Sequence, residues 1–335
     1  MASDSGADGL TTFDGGNEGV DSDASSDDGI QSTGDGPRLD EMMETGENGT
    51  AEAGQEEGCK AVDFLFVIDN SGSMGDNQDA LVASFGSFMQ SILDTVDASD
   101  DFHVMVVKTD SGWFPESCNV FCQVACGPDL PAGLCDNKTP PDSCADQLGA
   151  GVTYPVGGDS SNQQCSLSGG QRYIQSTEPN LTTAFSCVAQ VGTDGNADER
   201  PMEALTAALS NSMQNPGGCN EGFLRDDAIL VVTVITDEED ANSPGTPEGW
   251  YQNLLSAKAL DPSAFVMLGL INDTDAASPL CPSDSQDPVR LRSFFEMFPN
   301  RIFGSVCNTS GYGEFFAQAV ELIDTTCDEF VPPAD

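Results

Sequence analysis

Positive charge is what this chain has least of. Eleven Lys and Arg residues stand against 56 Asp and Glu in 335 positions, a formal net charge of −45. That balance argues against nucleic acid and anionic membrane surfaces as partners. Histidine is scarcer still, because His103 is all the imidazole available. It lies inside an apolar run, where a structural role is the usual one, and no G-x-S-x-G elbow accompanies it, so serine-hydrolase chemistry has no footing. No C-x-x-C pair occurs, which removes the zinc ribbon and the thioredoxin-type redox centre. Walker A loops and a G-x-G-x-x-G after a strand are absent as well. No apolar stretch is long enough to span a bilayer, and the opening MASDSGADGL has neither a basic nor an apolar signal region.

Cysteine, by contrast, is plentiful. Twelve cysteines are spread from Cys59 to Cys327, an even set that points to disulfides formed in an oxidising compartment. Cys59 and Cys327 are candidates to pair where the chain enters and leaves the fold. Cys118, Cys122 and Cys126 fall at helical i, i+4, i+8 spacing, a pattern that would also suit a metal, although disulfides are the better account. Oxidised cysteines require export. The expectation is therefore that a signal, or a lipid-modified cysteine, lies upstream of Met1, and that the protein is extracytoplasmic.

Composition divides the chain. Residues 1–58 hold 16 acids, one base (Arg38) and one aromatic (Phe13), too little apolar surface to offset the entropy of ordering them. They are predicted to be a disordered acidic tether, with 59–335 as the folded part. There the pattern alternates. Val62–Ile68, Phe102–Thr109 and Ala228–Thr236 read as strands, followed by strands at 264–271 and 301–306. Helical spacing marks 76–96 through Leu81, Phe85, Phe88 and Ile92, and 199–213 through Met202, Leu205, Leu209 and Met213. Further helices are predicted near 249–260, 288–298 and 312–326. Residues 110–186 lose periodicity, carry six cysteines and read as an irregular, disulfide-rich insertion. Strand–helix alternation of this kind predicts an α/β fold with a doubly wound, mostly parallel central sheet flanked by helices. Ligands of such folds sit beyond the carboxyl ends of the strands.

Asp69-x-Ser71-x-Ser73 stands at one of those ends, where an apolar strand turns into a helix. Three hard oxygens on one tight turn suit a hard divalent cation. The competing structural reading has Ser71 and Ser73 capping the helix and Asp69 satisfying loop amides. Asp237 stands at the end of the central strand in VVTVITDEED. Thr193 precedes a helix in VGTDGNADERPMEAL. With these residues the chain resembles the von Willebrand factor A domain and its metal-ion-dependent adhesion site, in the manner of its bacterial secreted or lipoprotein branch. The resemblance implies that Asp69, Ser71, Ser73, Thr193 and Asp237 hold the metal. It further implies that a partner's carboxylate completes the coordination.

The expected cofactor is Mg2+, with Mn2+ or Ca2+ as alternates. The expected function is a metal-dependent protein-binding or adhesion module on the cell envelope, whose partner offers an Asp or Glu carboxylate. The alternative is a structural envelope lipoprotein in which the metal only stabilises the site loops. An enzyme is not expected, because no acid–base group with a tuned environment is evident. Asp110-Ser111-Gly112 imitates an aspartic-protease loop but lacks a folded counterpart, since its echo Asp4-Ser5-Gly6 lies in the tether. Glu238, Glu239 and Asp240 read as a solvated loop. Asp194, Asn196 and Asp198 imitate the start of a calcium loop whose glycine and closing glutamate are missing. The insertion is the expected determinant of specificity, framing the metal if it rises over the strand tips.

Overall fold

The computed structural model describes residues 58–96, 101–115, 133–283 and 285–333, together with Cys118, Cys122 and Leu130. The tether expected over 1–58 lies outside the described residues apart from Gly58, and so does Cys126. Six strands form one sheet: β1 (Ala61–Ile68), β2 (Phe102–Lys108), β3 (Ile174–Gln175), β4 (Ala228–Ile235), β5 (Phe265–Ile271) and β6 (Arg301–Ser305). Their spatial order is β3-β2-β1-β4-β5-β6. All neighbours are parallel except β2 and β3. Every residue of β1, β4 and β5 is buried, as continuous apolar runs require when helices cover both faces of a parallel sheet.

The helices are α1 (Gly75–Thr95), α2 (Leu181–Ala189), α3 (Pro201–Ala208), α4 (Asn211–Gln214), α5 (Pro247–Ser256), α6 (Val289–Phe295) and α7 (Tyr312–Glu329). On one side α1 packs against α2 and α7, and on the other α3 packs against α5 and α5 against α6. The expected apolar stripe of α1 is the one it buries, Leu81, Phe85, Phe88 and Ile92. Phe85 stacks on Phe185 of α2 at 3.5 Å between ring centroids, and Phe66 of β1 meets Phe185 edge-on at 5.1 Å. Aromatic pairs of this kind contribute about 0.5–1.5 kcal/mol beyond their buried area. The predicted α/β class is thus the observed one.

The insertion is more regular than its sequence suggests. It contributes the antiparallel edge strand β3 and most of α2. Two strand residues and nine helical ones offer too few repeats for a period to show. Disulfides Cys144–Cys219 and Cys165–Cys187 tie the insertion to the body. Cys122–Cys135 closes a loop within it, and Cys281–Cys307 links the β5 and β6 ends. Cys59–Cys327 joins the entry and exit of the fold, as expected. No described cysteine is free, and Cys118 is also disulfide-bonded, so Cys118 and Cys122 are not metal ligands. Bonds of this number belong to an oxidising compartment. No described helix is long and apolar enough to cross a membrane.

At the amino end of the sheet a buried carboxylate is fully paired. Asp63 of β1 accepts hydrogen bonds from the Arg225 backbone N (2.9 Å), Nε (2.8 Å) and Nη2 (2.6 Å). Lys258, itself buried, donates from Nζ to the carbonyls of Arg225 and Ala228 at 2.5 Å each. His103 Nδ1 lies 2.8 Å from the Phe223 carbonyl, and burial holds its imidazole below the usual value. The structural role expected of His103 is the one observed.

Candidate metal centre

Strand order places the site. The chain runs outward from β1 to β2 and β3 on one side and through β4, β5 and β6 on the other. The topological switch point therefore lies between β1 and β4, where ligands of doubly wound sheets bind. Parallel register pairs Ile68 with Ile235. The next residues, Asp69 and Thr236, consequently leave the sheet side by side, with Asp237 one position further.

Asp69 is fully buried. Its N–H donates to the Ile235 carbonyl (3.0 Å). Oδ1 accepts from the Ser71 backbone N (2.7 Å) and Oδ2 from Thr236 Oγ1 (2.6 Å). Neither partner is cationic. Burial, with the nearby Asp237 charge adding to it, pushes the Asp69 carboxyl up to about 7 despite these hydrogen bonds. Ser71 Oγ and Ser73 Oγ lie 3.3 Å apart, the first buried and the second exposed. Neither caps α1: its first flanking residue is Met74, and no side chain bonds the helix end. The helix-cap reading of the two serines is thereby corrected, whereas the reading of Asp69 as a loop-amide acceptor matches its bond to Ser71.

The Thr193 loop is fastened to this turn. Gln78 of α1 donates from Nε2 to the Asp69 carbonyl (3.1 Å) and the Gly192 carbonyl (2.8 Å), and accepts from Gly192 N (3.1 Å). Gly195 N donates to the Asn70 carbonyl (2.9 Å). A Cβ at Gly195 would stand 2.6 Å from that oxygen, so only glycine permits the approach. Thr193 is partly buried, with its carbonyl 3.8 Å from where a Gly72 Cβ would be. Its Oγ1 donates to Asp159 Oδ2 (2.9 Å) and lies 3.3 Å from the Gly158 carbonyl.

Asp237 is half-buried, and its Oδ1 is enclosed without a hydrogen-bond partner. Beside it, the acidic run is not a solvated loop. Asp240, buried, accepts from Met202 N (2.9 Å) and Ser243 N (2.8 Å). Glu239 accepts from Arg290 N at the start of α6 (3.0 Å). These carboxylates satisfy helix N-terminal amides, where negative charge is favoured. Asp194 and Asn196 likewise serve the loop, accepting from Gly158 N and Asp198 N.

Two residues of the site were not singled out from sequence. Glu199, 2% exposed, accepts from Thr109 Oγ1 through Oε2 and leaves Oε1 unpartnered. Burial first, and the Asp69 charge second, push its carboxyl up to about 9. In the sequence it was visible only as the wrong residue in an imperfect calcium loop. Asp159 belongs to the insertion, where no periodicity pointed to it.

Two carboxylates and three hydroxyls are oxygen donors of the chemical kind Mg2+ takes. The enclosed, unpartnered oxygen of Asp237 fits a cation ligand, because buried polar atoms are otherwise nearly always bonded. Among the described residues no group of three or more His, Cys, Asp or Glu side chains is arranged to hold a metal. The candidate set therefore depends on its hydroxyls.

A doubly wound sheet with an oxygen-lined turn at its switch point defines a class of ligand-binding fold rather than a single protein. Among solved structures the chain is similar to proximal thread matrix protein 1 from the mussel byssus. Identity is 11% over 80% of this chain and 50% of that one, with a TM-score of 0.41. A structure of the same mussel protein with a zinc-occupied MIDAS motif is similar at 10% identity, the same coverages and a TM-score of 0.40. The chain spans about half the length of that protein. No family model and no curated protein matches.

Proposed function

We propose that this protein is a divalent-cation-dependent binding module. Asp69, Ser71, Ser73, Thr193 and Asp237 would hold Mg2+, with Mn2+ or Ca2+ as alternates. A protein partner's Asp or Glu carboxylate would complete the coordination, and no bond would be made or broken. The observation that carries this reading is the pair of carboxylates at the switch point. Asp69 is buried without a cationic partner, and Asp237 beside it has an enclosed oxygen without a hydrogen bond. A bound cation would neutralise both. The five described disulfides support an extracytoplasmic setting, and a bacterial envelope lipoprotein is the finer form of the proposal.

Calorimetric titration of Mg2+ and Mn2+ tests the cation. Binding is expected in the wild type and its loss in Asp69→Ala. Capture of a partner from envelope extract should then disappear with EDTA. Capture that ignores both EDTA and Asp69→Ala would defeat the proposal. One observation favours a second reading, in which the site loops are purely structural. Both Asp69 oxygens already accept protein hydrogen bonds. That reading expects no cation binding, or binding that raises the melting temperature without any change in partner capture.

A further inference from the structure

The loop around Gly158 brings the insertion against Thr193 of the candidate centre. Thr193 N donates to the Gly158 carbonyl (2.8 Å), and Gly158 N donates to Asp194 Oδ2. Asn162 closes the loop on itself, its Oδ1 accepting from Gly157 N (2.9 Å) and its Nδ2 donating to the Gly157 carbonyl (2.7 Å). At the tip stands Asp159, with φ of 56°, a left-handed conformation uncommon for residues with a side chain. What that conformation achieves is placement of the carboxylate. Asp159 Oδ2 accepts from Thr193 Oγ1 at 2.9 Å, and it lies 3.3 Å from where a Cβ on Gly75 would be. Gly75 is the first residue of α1, whose N-terminal amides have no side-chain cap. The positive end of that helix dipole favours an anion there. An exposed carboxylate of the chain itself thus occupies the side of the centre where Thr193 and the α1 terminus meet.

We infer that Asp159 is a built-in carboxylate ligand, which occupies the coordination position a partner would use and must be displaced for the partner to bind. This rests on the cation-binding reading above and adds a regulatory element to it. A self-supplied ligand raises cation affinity and lowers affinity for an outside carboxylate, because only the displaced fraction of molecules is competent.

Isothermal titration of Mn2+, followed by acetate titration of the Mn2+-loaded protein, tests this in the wild type, Asp159→Asn and Asp159→Gly. Asn and Gly both tolerate the left-handed backbone, so the loop keeps its shape. The Cys165–Cys187 bond and an unchanged far-ultraviolet spectrum serve as folding controls. Mn2+ affinity is expected to fall about tenfold in both variants, the scale on which supporting groups of metal sites act. Acetate affinity for the loaded variants should rise by a similar factor. Unchanged Mn2+ and acetate affinities in both variants, beside Asp69-dependent Mn2+ binding in the wild type, would overturn this inference alone. Absence of Asp69-dependent Mn2+ binding in the wild type would overturn the cation reading and this inference with it.

Discussion

Two buried carboxylates stand at opposite ends of β1, Asp63 within the strand and Asp69 directly after it, and the fold treats them in opposite ways. Asp63 at the amino end is clasped by Arg225 through three hydrogen bonds, two of them from the guanidinium. Asp69 at the carboxyl end has only a backbone amide and a threonine hydroxyl. Burial raises both, Asp63 to about 6 against the pull of Arg225 and Asp69 to about 7 without such a pull. Removing a charge from water costs several kcal/mol unless a partner offsets it. The amino end is closed by a partner within the chain. At the carboxyl end the hydrogen-bond partners of the Asp69 side chain are uncharged.

The contrast can be broken most strongly at its closed end. Arg225→Ala would leave Asp63 buried beside an absent partner, and urea denaturation should show a loss of about 3–5 kcal/mol. A loss within experimental error would mean that water replaces the guanidinium. The next largest effect is expected with pH. Glu199 has a folded pKa of about 9, raised from an ordinary 4.5, so the native state binds the proton more tightly than the unfolded chain does. Its contribution is fully present below the ordinary value and is lost as pH rises through about 9. In divalent-free buffer, denaturant midpoints should fall between pH 5 and 9. Glu199→Gln should flatten that slope, by an amount on the order of a few kcal/mol across the window. An equally steep slope in the variant would place the titration elsewhere. The smallest effect concerns the open end. Asp69→Asn removes an uncompensated buried charge and should stabilise the metal-free protein by about 1 kcal/mol. Disturbing the two ends of β1 would then have opposite signs. A destabilised Asp69→Asn protein would show that the carboxylate is structurally required even without a cation.

Much of this architecture was legible in the residues themselves. β1 and β4 announce themselves as apolar runs, each with a single polar interruption, and an acidic residue stands within two positions of each strand's end. The helix stripe of α1 follows from its spacing, whereas Cys59 and Cys327 are candidates to pair only through their places at the entry and exit of the fold. Pairings between distant segments were not. Asp63 interrupts the apolar run of β1, and its partner Arg225 lies 162 residues away with nothing local to connect them. Thr236 is the last residue of a predicted strand, and only the β1–β4 register shows it as the hydroxyl partner of Asp69. Asp159 was hidden because its position depends on a left-handed turn and loop hydrogen bonds that leave no periodic trace. Thr193 was named through the family resemblance of its loop, but its side-chain partner Asp159 came only with the folded insertion.

The Cys59–Cys327 bond has a mechanical meaning as well as a stabilising one. Gly58 N donates to the Phe330 carbonyl and Cys59 N to the Cys327 carbonyl, both at 2.8 Å, so the two ends of the fold meet at a single covalent knot. A pull applied between residues 58 and 330 runs through that sulfur link and not through the sheet. The strand tips at the opposite edge carry none of the load.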